Sequence, residues 1–451
     1  MKYKAIINRL IRSDDDRTKN AKIHILYSFG IKGISILTYL LIVPITLNYL
    51  NKVEYGIWLT ISSILMWVNT FDIGLGNGLR NKLAEAVAHK DWKLGQLYIS
   101  TCYVILIILM AIVYSLFLLI NKHLDWYSIM NIDPKVTPNL SQIINISFVL
   151  FCLTFVFKII GNVYLALQKP AVNNFLVMVG QLVALVIIYL LSFTTQGTLL
   201  IVSVVYSAAP LLVYIIASFI TFLSIYPKLR PKLSLYNKKY VKDLMSIGTS
   251  FFILQIAGLI LFSTTNLLIS NQFGPDKVTV YNIAYRYFSV VPMLFSIVLA
   301  PIWSATTDAY IQEDYNWINK SMRKVNVLLL VTFFILLLMV AVSNYIYKIW
   351  IGESVDIPFN LTIAMAIYTY VIVGSLSYSS FLNGIGKLKL QVINTCLVAL
   401  IFLPLAFGFT QKVGIVGLTV ALIIVNLPGV LLNLIQFNKI INGRATGIWN
   451  K

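Results

Sequence analysis

Three cations lie inside apolar runs of this sequence: Lys32, Lys158 and Arg286. If such a run crosses a bilayer, a charge near its centre costs about 3 kcal/mol unless it meets a cavity or a partner. Each cation also has polar neighbours at helical spacing. Lys32 shares a face with Ser28, Ser35 and Tyr39, at i−4, i+3 and i+7. Lys158 is followed one turn later by Asn162. Arg286 is flanked by Asn282 at i−4 and Ser289 at i+3. A fixed cation on a polar stripe within an apolar helix points to a hydrated lumen. The blander readings are a lysine that snorkels to the interface, for Lys32 above all, and an ion pair that ties helices together, for Arg286. A further stripe, Gln255, Gly258, Phe262, Thr265 and Asn266, is polar but uncharged.

Asp72 is the main deep anion. It opens Asp72-Ile73-Gly74-Leu75-Gly76-Asn77-Gly78-Leu79-Arg80, which as a helix puts Asp72, Gly76 and Arg80 on one face. Gly74, Gly76 and Gly78 permit a hinge or close helix packing. The functional reading is a hinge with Asp72 as charge partner or coupling site; the structural one is a kinked helix end. The run lacks the Gly-Lys-Ser/Thr ending and the preceding strand of a phosphate loop. The scattered His24, His89 and His123, and Cys102, Cys152 and Cys396 within apolar runs, have no metal-ligand spacing. No metal, cofactor or catalytic residue is expected. Deep cations outnumber deep anions, so a cavity built from them prefers an anion; a diphosphate suits several fixed cations in a low-dielectric site.

The elements that must position these residues are membrane helices. Of 451 residues 59% are hydrophobic and only 11% charged, against roughly a quarter charged in soluble domains. The net charge of +19 is better explained by basic loops on one side of a membrane than by nucleic acid. At about 20 apolar residues per crossing, some twelve spans are expected, near 23–50, 55–80, 97–120, 141–167, 172–194, 198–225, 244–271, 279–309, 325–347, 358–383, 389–410 and 413–437. They divide the chain into a basic N-terminal segment (1–22), a first six-helix bundle (23–225), a basic loop (226–243), a second six-helix bundle (244–437) and a tail (438–451). An even span number puts both termini on one side. That side collects about 24 Lys and Arg against about 6 on the other, a positive-inside bias that makes the termini cytoplasmic. The start, with Ile6, Ile7, Leu10 and Ile11 beside Lys4, Arg9 and Arg12, reads either as an amphipathic segment on the leaflet or as a disordered tail.

The two halves echo one another. Ser28-Phe29-Gly30 corresponds to Ser246-Ile247-Gly248, and Leu50-Asn51-Lys52-Val53-Glu54-Tyr55-Gly56-Ile57-Trp58 to Phe273-Gly274-Pro275-Asp276-Lys277-Val278-Thr279-Val280-Tyr281. Six spans per half with both ends inside makes the repeats parallel. This topology, with the segments Lys52–Trp58, Phe71–Lys82, Phe273–Asp276 and Tyr281–Arg286, resembles the exporter superfamily of multidrug extrusion proteins, lipid II flippases and polysaccharide-repeat flippases. Within it the chain is most similar to the bacterial O-antigen and capsule repeat-unit flippases.

The resemblance implies an all-α integral membrane fold of two six-helix bundles in a V around a cationic cavity. It implies transfer of an undecaprenyl-diphosphate-linked oligosaccharide from the inner to the outer leaflet of the bacterial plasma membrane, for surface polysaccharide biosynthesis. The substrate diphosphate would meet Lys32, Lys158, Arg286 and Arg80; Asn162, Gln255, Asn266 and Asn282 would line the cavity. A proton or sodium gradient is a candidate energy source, with Asp72 as its carrier. Membrane lipids and the polysaccharide polymerase machinery are the expected partners of a monomer that binds no nucleic acid. Two other classes compete: a multidrug or small-cation exporter of the same fold, which the cationic lumen disfavours, and a membrane glycosyl transferase or polymerase, for which the loop 121–140 offers only Asp125 and Asp133. A scaffold without transport would leave the buried cations unexplained.

Overall fold

Long apolar runs fold as helices here because a bilayer leaves the backbone no other partner than itself. The structure, a computed structural model, describes residues 16–66, 75–167, 169–245 and 264–450. From the N-terminus the helices are α1 (Asp16–Tyr49), α2 (Lys52–Met66), α3 (Leu75–Ala88), α4 (Trp92–Asn121), the short α5 (Trp126–Met130), α6 (Leu140–Phe157), α7 (Ile159–Ala166), α8 (Pro170–Leu191), α9 (Leu199–Ile220) and α10 (Lys239–Met245). After a helical run at 264–273 come α11 (Pro275–Ile311), α12 (Tyr315–Ile351), α13 (Phe359–Ile385), α14 (Lys389–Val413) and α15 (Ile415–Ile441). No strand occurs among the described residues.

Local chemistry sets the helix ends. Asp91 caps α4 by accepting from Leu94 N–H at 2.9 Å, Thr198 caps α9 through Ile201 N–H at 3.3 Å, and Asp314 caps α12 through Trp317 N–H at 2.9 Å. Pro170 opens α8, where its missing N–H costs nothing. Pro44, Pro210, Pro404 and Pro428 lie inside α1, α9, α14 and α15, each freeing a carbonyl one turn earlier.

Ten of the described helical stretches are long and apolar enough to cross a membrane. The other two expected spans, 55–80 and 244–271, run through 67–74 and 246–263, which lie outside the described residues. Buried hydroxyls return their protons to their own helix: Ser147 Oγ to Ile143 O at 2.8 Å, Thr332 Oγ1 to Leu328 O at 2.8 Å, Ser377 Oγ to Val373 O at 2.9 Å. Meanwhile Leu119, Leu338 and Leu400 are exposed. Polar groups inside and leucines outside is the pattern of a chain solvated by lipid. This is a multi-pass membrane protein.

The described helices sort into two compact units. The first contains α1 and α3–α10. In it α1 packs on α8, α9 on α6 and α8, α4 on α6, and α3 on α4 and α7. The second contains Lys52–Ile64 of α2, Met130–Ile132 and everything described from 264 onward. Its core is α13, which packs on α11, α12 and α15, and α14 packs on α15.

One predicted span is not a single helix. The stretch expected as 141–167 breaks at Lys158, which separates α6 from α7 with φ −62° and ψ −13°. Gly161 N–H bonds Lys158 O at 2.9 Å, an i→i+3 closure that tightens the helix for one turn.

Candidate functional site

In the first unit, Lys158 sits at that break. Its side chain is half-buried, with Nζ 4.2 Å from the centre of the Phe155 ring, a cation–π contact one turn back. Asn162 follows one turn on and is also half-buried. Across from it, Asn173 of α8 lies so close to Gly161 that a Cβ there would overlap the Asn173 amide oxygen. Glycine at 161 therefore lets a polar side chain of α8 reach the break in the neighbouring span.

Lys32 lies on α1 and is half-buried. Ser35 and Thr38 give their hydroxyl protons to Ile31 O and Ile34 O, both at 2.9 Å. Arg80, on α3, is exposed. Gly76 and Gly78 are buried on the same helix, and a Cβ on Gly78 would overlap the Leu244 carbonyl oxygen of α10. Gly78 therefore serves a close approach between two helices. Asp72, Gly74 and Gln255 lie outside the described residues.

The second unit brings together residues that sequence spacing placed only on separate stripes. Asn282 Nδ2 donates to Asn266 Oδ1 at 2.8 Å. Asn266 Nδ2 in turn donates to Ser63 Oγ at 2.6 Å and to Leu59 O at 3.3 Å. The result is a ladder of neutral polar groups linking α2, the helical run 264–273 and α11. Arg286 stands one turn beyond Asn282, half-buried. It follows Pro275 by about 16 Å of helix at 1.5 Å per residue, inside the 37-residue α11. Lys158 is about 12 Å of helix from Ala166, and Lys32 lies about 24 Å of helix beyond Asp16 in the continuous α1.

Toward the start of α11, the two echoed segments of the chain pack on each other. Gly56 lies against the Pro275 carbonyl, where a Cβ would overlap it. Thr279 Oγ1 donates to Lys52 O at 2.7 Å, and Lys52 Nζ is 3.7 Å from Asp276 Oδ2. Asp276 in the first turn of α11 also complements the helix dipole.

A second polar feature of this unit is absent from the sequence expectations. A cavity of about 220 Å³ among α13, α14 and α15 is lined by Ser375, Ser379, Gln391, Asn394, Thr395, Asn426 and Asn433. Gln391 Nε2 is buried and has no hydrogen-bond partner among the described residues. The signal was present as helical spacing: 375/379, 391/394/395 and 426/433 are i, i+3, i+4 or i+7 sets. It carries no charge, and charge drew the search. Amides and hydroxyls in an apolar surround bind neutral polyols well and pay little desolvation for lacking a full charge. No group of three or more His, Cys, Asp or Glu able to hold a metal occurs among the described residues.

Comparison with known proteins bears on the whole arrangement. A family model described as polysaccharide biosynthesis protein matches residues 19–307. A Yersinia pseudotuberculosis protein assigned to O-antigen export is 23% identical over 405 residues, covering 88% of this chain and 90% of its own. A Salmonella typhi protein assigned as an O-antigen transporter is 23% identical over 392 residues, covering 85% and 87%. Among solved structures, an inward-facing multidrug-resistance MATE transporter of the MOP superfamily superposes with a TM-score of 0.76 at 14% identity, covering 93% of this chain and 98% of that one. A MOP-superfamily transporter from Pyrococcus furiosus gives 0.59 at 14% identity, covering 94% and 95%. With the family model spanning well over half its length and the helices following a MATE-like course, the chain belongs to the polysaccharide biosynthesis protein family.

Proposed function

We propose that this protein is a flippase that carries an undecaprenyl-diphosphate-linked oligosaccharide from the cytoplasmic to the outer leaflet of the bacterial plasma membrane. It is a transporter rather than an enzyme. Two conformations expose one site alternately, and differential binding to them sets direction. Family membership and the O-antigen assignments of the relatives support an exporter of surface polysaccharide units. The observation that carries the substrate class is Arg286, a half-buried guanidinium within a membrane-length helix, next to the Asn282–Asn266–Ser63 ladder. A guanidinium offers a diphosphate a bidentate, permanently charged partner. Lys158 and Lys32 supply further cations toward the cytoplasmic end, where the diphosphate is loaded. The neutral cavity among α13, α14 and α15 offers donors and acceptors of the kind sugar hydroxyls need. Both termini are cytoplasmic, the working unit is a monomer, and a proton or sodium gradient supplies the energy.

The test is a strain deleted for this gene. Lipid-linked oligosaccharide accumulates on the cytoplasmic leaflet, surface polysaccharide is lost, and the wild-type gene restores both. Arg286→Ala and Lys158→Ala reach the membrane but do not restore export, while Lys158→Arg does so in part. Normal export from both alanine variants removes the cationic-site reading. A second reading, a multidrug exporter, is favoured by the MATE fold. Unchanged surface glycan with altered drug susceptibility would select it.

A further inference from the structure

Outside the residues assigned above, the first unit carries a groove that is apolar along its length and cationic at one end. Its walls are α4 and α6, with the end of α9, and its volume is about 570 Å³, within the range of about 300–1,000 Å³ typical of ligand sites. Ile107, Met110, Leu153 and Phe157 line the apolar part. The positions lining it on α4 run from Ser100 to Tyr114, about 21 Å at 1.5 Å per residue. That exceeds the depth of one leaflet, about 15 Å as half the hydrocarbon core. Ile107 and Leu153 are exposed, so the groove opens sideways to lipid.

The other end is polar. Phe222, Leu223, Arg230 and Lys232 are shared with an adjoining pocket of about 520 Å³ that adds Trp92, Lys93, Gln96 and Lys228. Neither pocket is lined by a carboxylate. The nearest acid in sequence, Asp91, is engaged as the cap of α4. The cations are held in place by their backbone. Gln96 Nε2 donates to Arg230 O at 2.7 Å, Lys232 N–H to Ser100 Oγ at 3.0 Å, and Asn237 N–H to Thr101 Oγ1 at 3.3 Å. Leu229, between Lys228 and Arg230, is fully buried. The basic segment joining the two halves of the sequence is therefore stitched along α4. The wall itself includes a wide π turn, Thr221–Ile225, a deviation that recurs at functional sites.

We propose that this groove is a binding site for one anionic glycerophospholipid. An acyl chain lies along α4 and α6, and the phosphodiester is held by Arg230 and Lys232 with Lys93 and Lys228 around it. Charge complementarity selects an anionic headgroup, and the groove is long enough to take an acyl chain that spans one leaflet. An undecaprenyl chain is more than twice as long as the groove. The site does not depend on what the protein transports. It couples lipid composition to the segment that tethers the two sequence halves.

The test uses the full-length protein purified in detergent and observed by native mass spectrometry, with phosphatidylglycerol, phosphatidylcholine or undecaprenyl phosphate added. Wild type retains one phosphatidylglycerol, and phosphatidylcholine binds about tenfold or more weakly, as expected for several lysine and arginine contacts to an anionic headgroup. The double change Arg230→Gln with Lys232→Gln, at exposed positions, weakens phosphatidylglycerol by a similar factor and leaves phosphatidylcholine unchanged. Leu153→Trp, which fills the apolar part, weakens both lipids. Equal retention of the two lipids by wild type, which needs no substitution to observe, overturns the proposal. So does displacement of phosphatidylglycerol by equimolar undecaprenyl phosphate, which would assign the groove to the transported lipid. Loss of this site with intact export, or the reverse, separates it from the flippase reading.

Discussion

A cation's depth decides what it can do. A lysine with a long stem such as Lys32 can reach the headgroups by snorkelling, whereas Arg286 stands one turn beyond the Asn282–Asn266–Ser63 ladder. Lys32→Ala is therefore expected to lower export only partly, and Arg286→Ala to reduce surface polysaccharide to the level of the deletion strain. Quantifying surface glycan at matched protein levels checks the order; equal effects would place both cations in the same role. The neutral ladder obeys a different rule. Asn266 is bonded on both sides, to Asn282 and to Ser63. Asn266→Leu removes the three hydrogen bonds that join the ladder, to Asn282, Ser63 and Leu59 O, at a cost of about 1–3 kcal/mol. The purified variant should unfold several degrees lower in a thermal scan. Asn266→Gln, which keeps an amide, should recover part of the loss.

Between elements, glycine sets the spacing. Gly78 on α3 faces the Leu244 carbonyl of α10 without room for a Cβ. Gly78→Leu forces the two helices apart and should cost about 1–3 kcal/mol by overpacking, seen as lower yield and a lower melting temperature, while Gly78→Ala costs less. If Gly78→Leu were as stable as wild type, the contact would not be structural. The same elements show how far the sequence could be read. Apolar runs of membrane length stand out because nothing else in the chain competes with them, so the helical character and the ten spans among the described residues are legible. The break at Lys158 is not. It lies in an unbroken apolar run with neither proline nor an early glycine, and it arises where Asn173 of a neighbouring helix meets Gly161. Asn266 and Asn282 were recognisable as polar stripes. Their partner Ser63 was not, because it comes from a helix some 200 residues away. The cavity among α13, α14 and α15 went unseen since its hydroxyls and amides carry no charge.

At the scale of the whole chain, the proposed orientation rests on charge distribution rather than on packing. Lys and Arg cross poorly during insertion, so membrane proteins keep the loops rich in them on the cytoplasmic side. The segment Tyr226–Asp243 alone holds Lys228, Arg230, Lys232, Lys238, Lys239 and Lys242, and the loop 121–140 lies across an odd number of spans from it. Both contain exposed positions suited to labelling, Lys238 and Lys135. The native thiols, Cys102 and Cys152 buried and Cys396 partly so, can first be replaced by serine or alanine. In that background Lys135→Cys should react with a membrane-impermeant maleimide in intact spheroplasts. Lys238→Cys should react only after the membrane is opened. The reverse pattern would invert the protein, placing the cationic groove end and the loading cations on the outer face. Import, rather than export, of a negatively charged lipid would then be the direction the charge asymmetry favours.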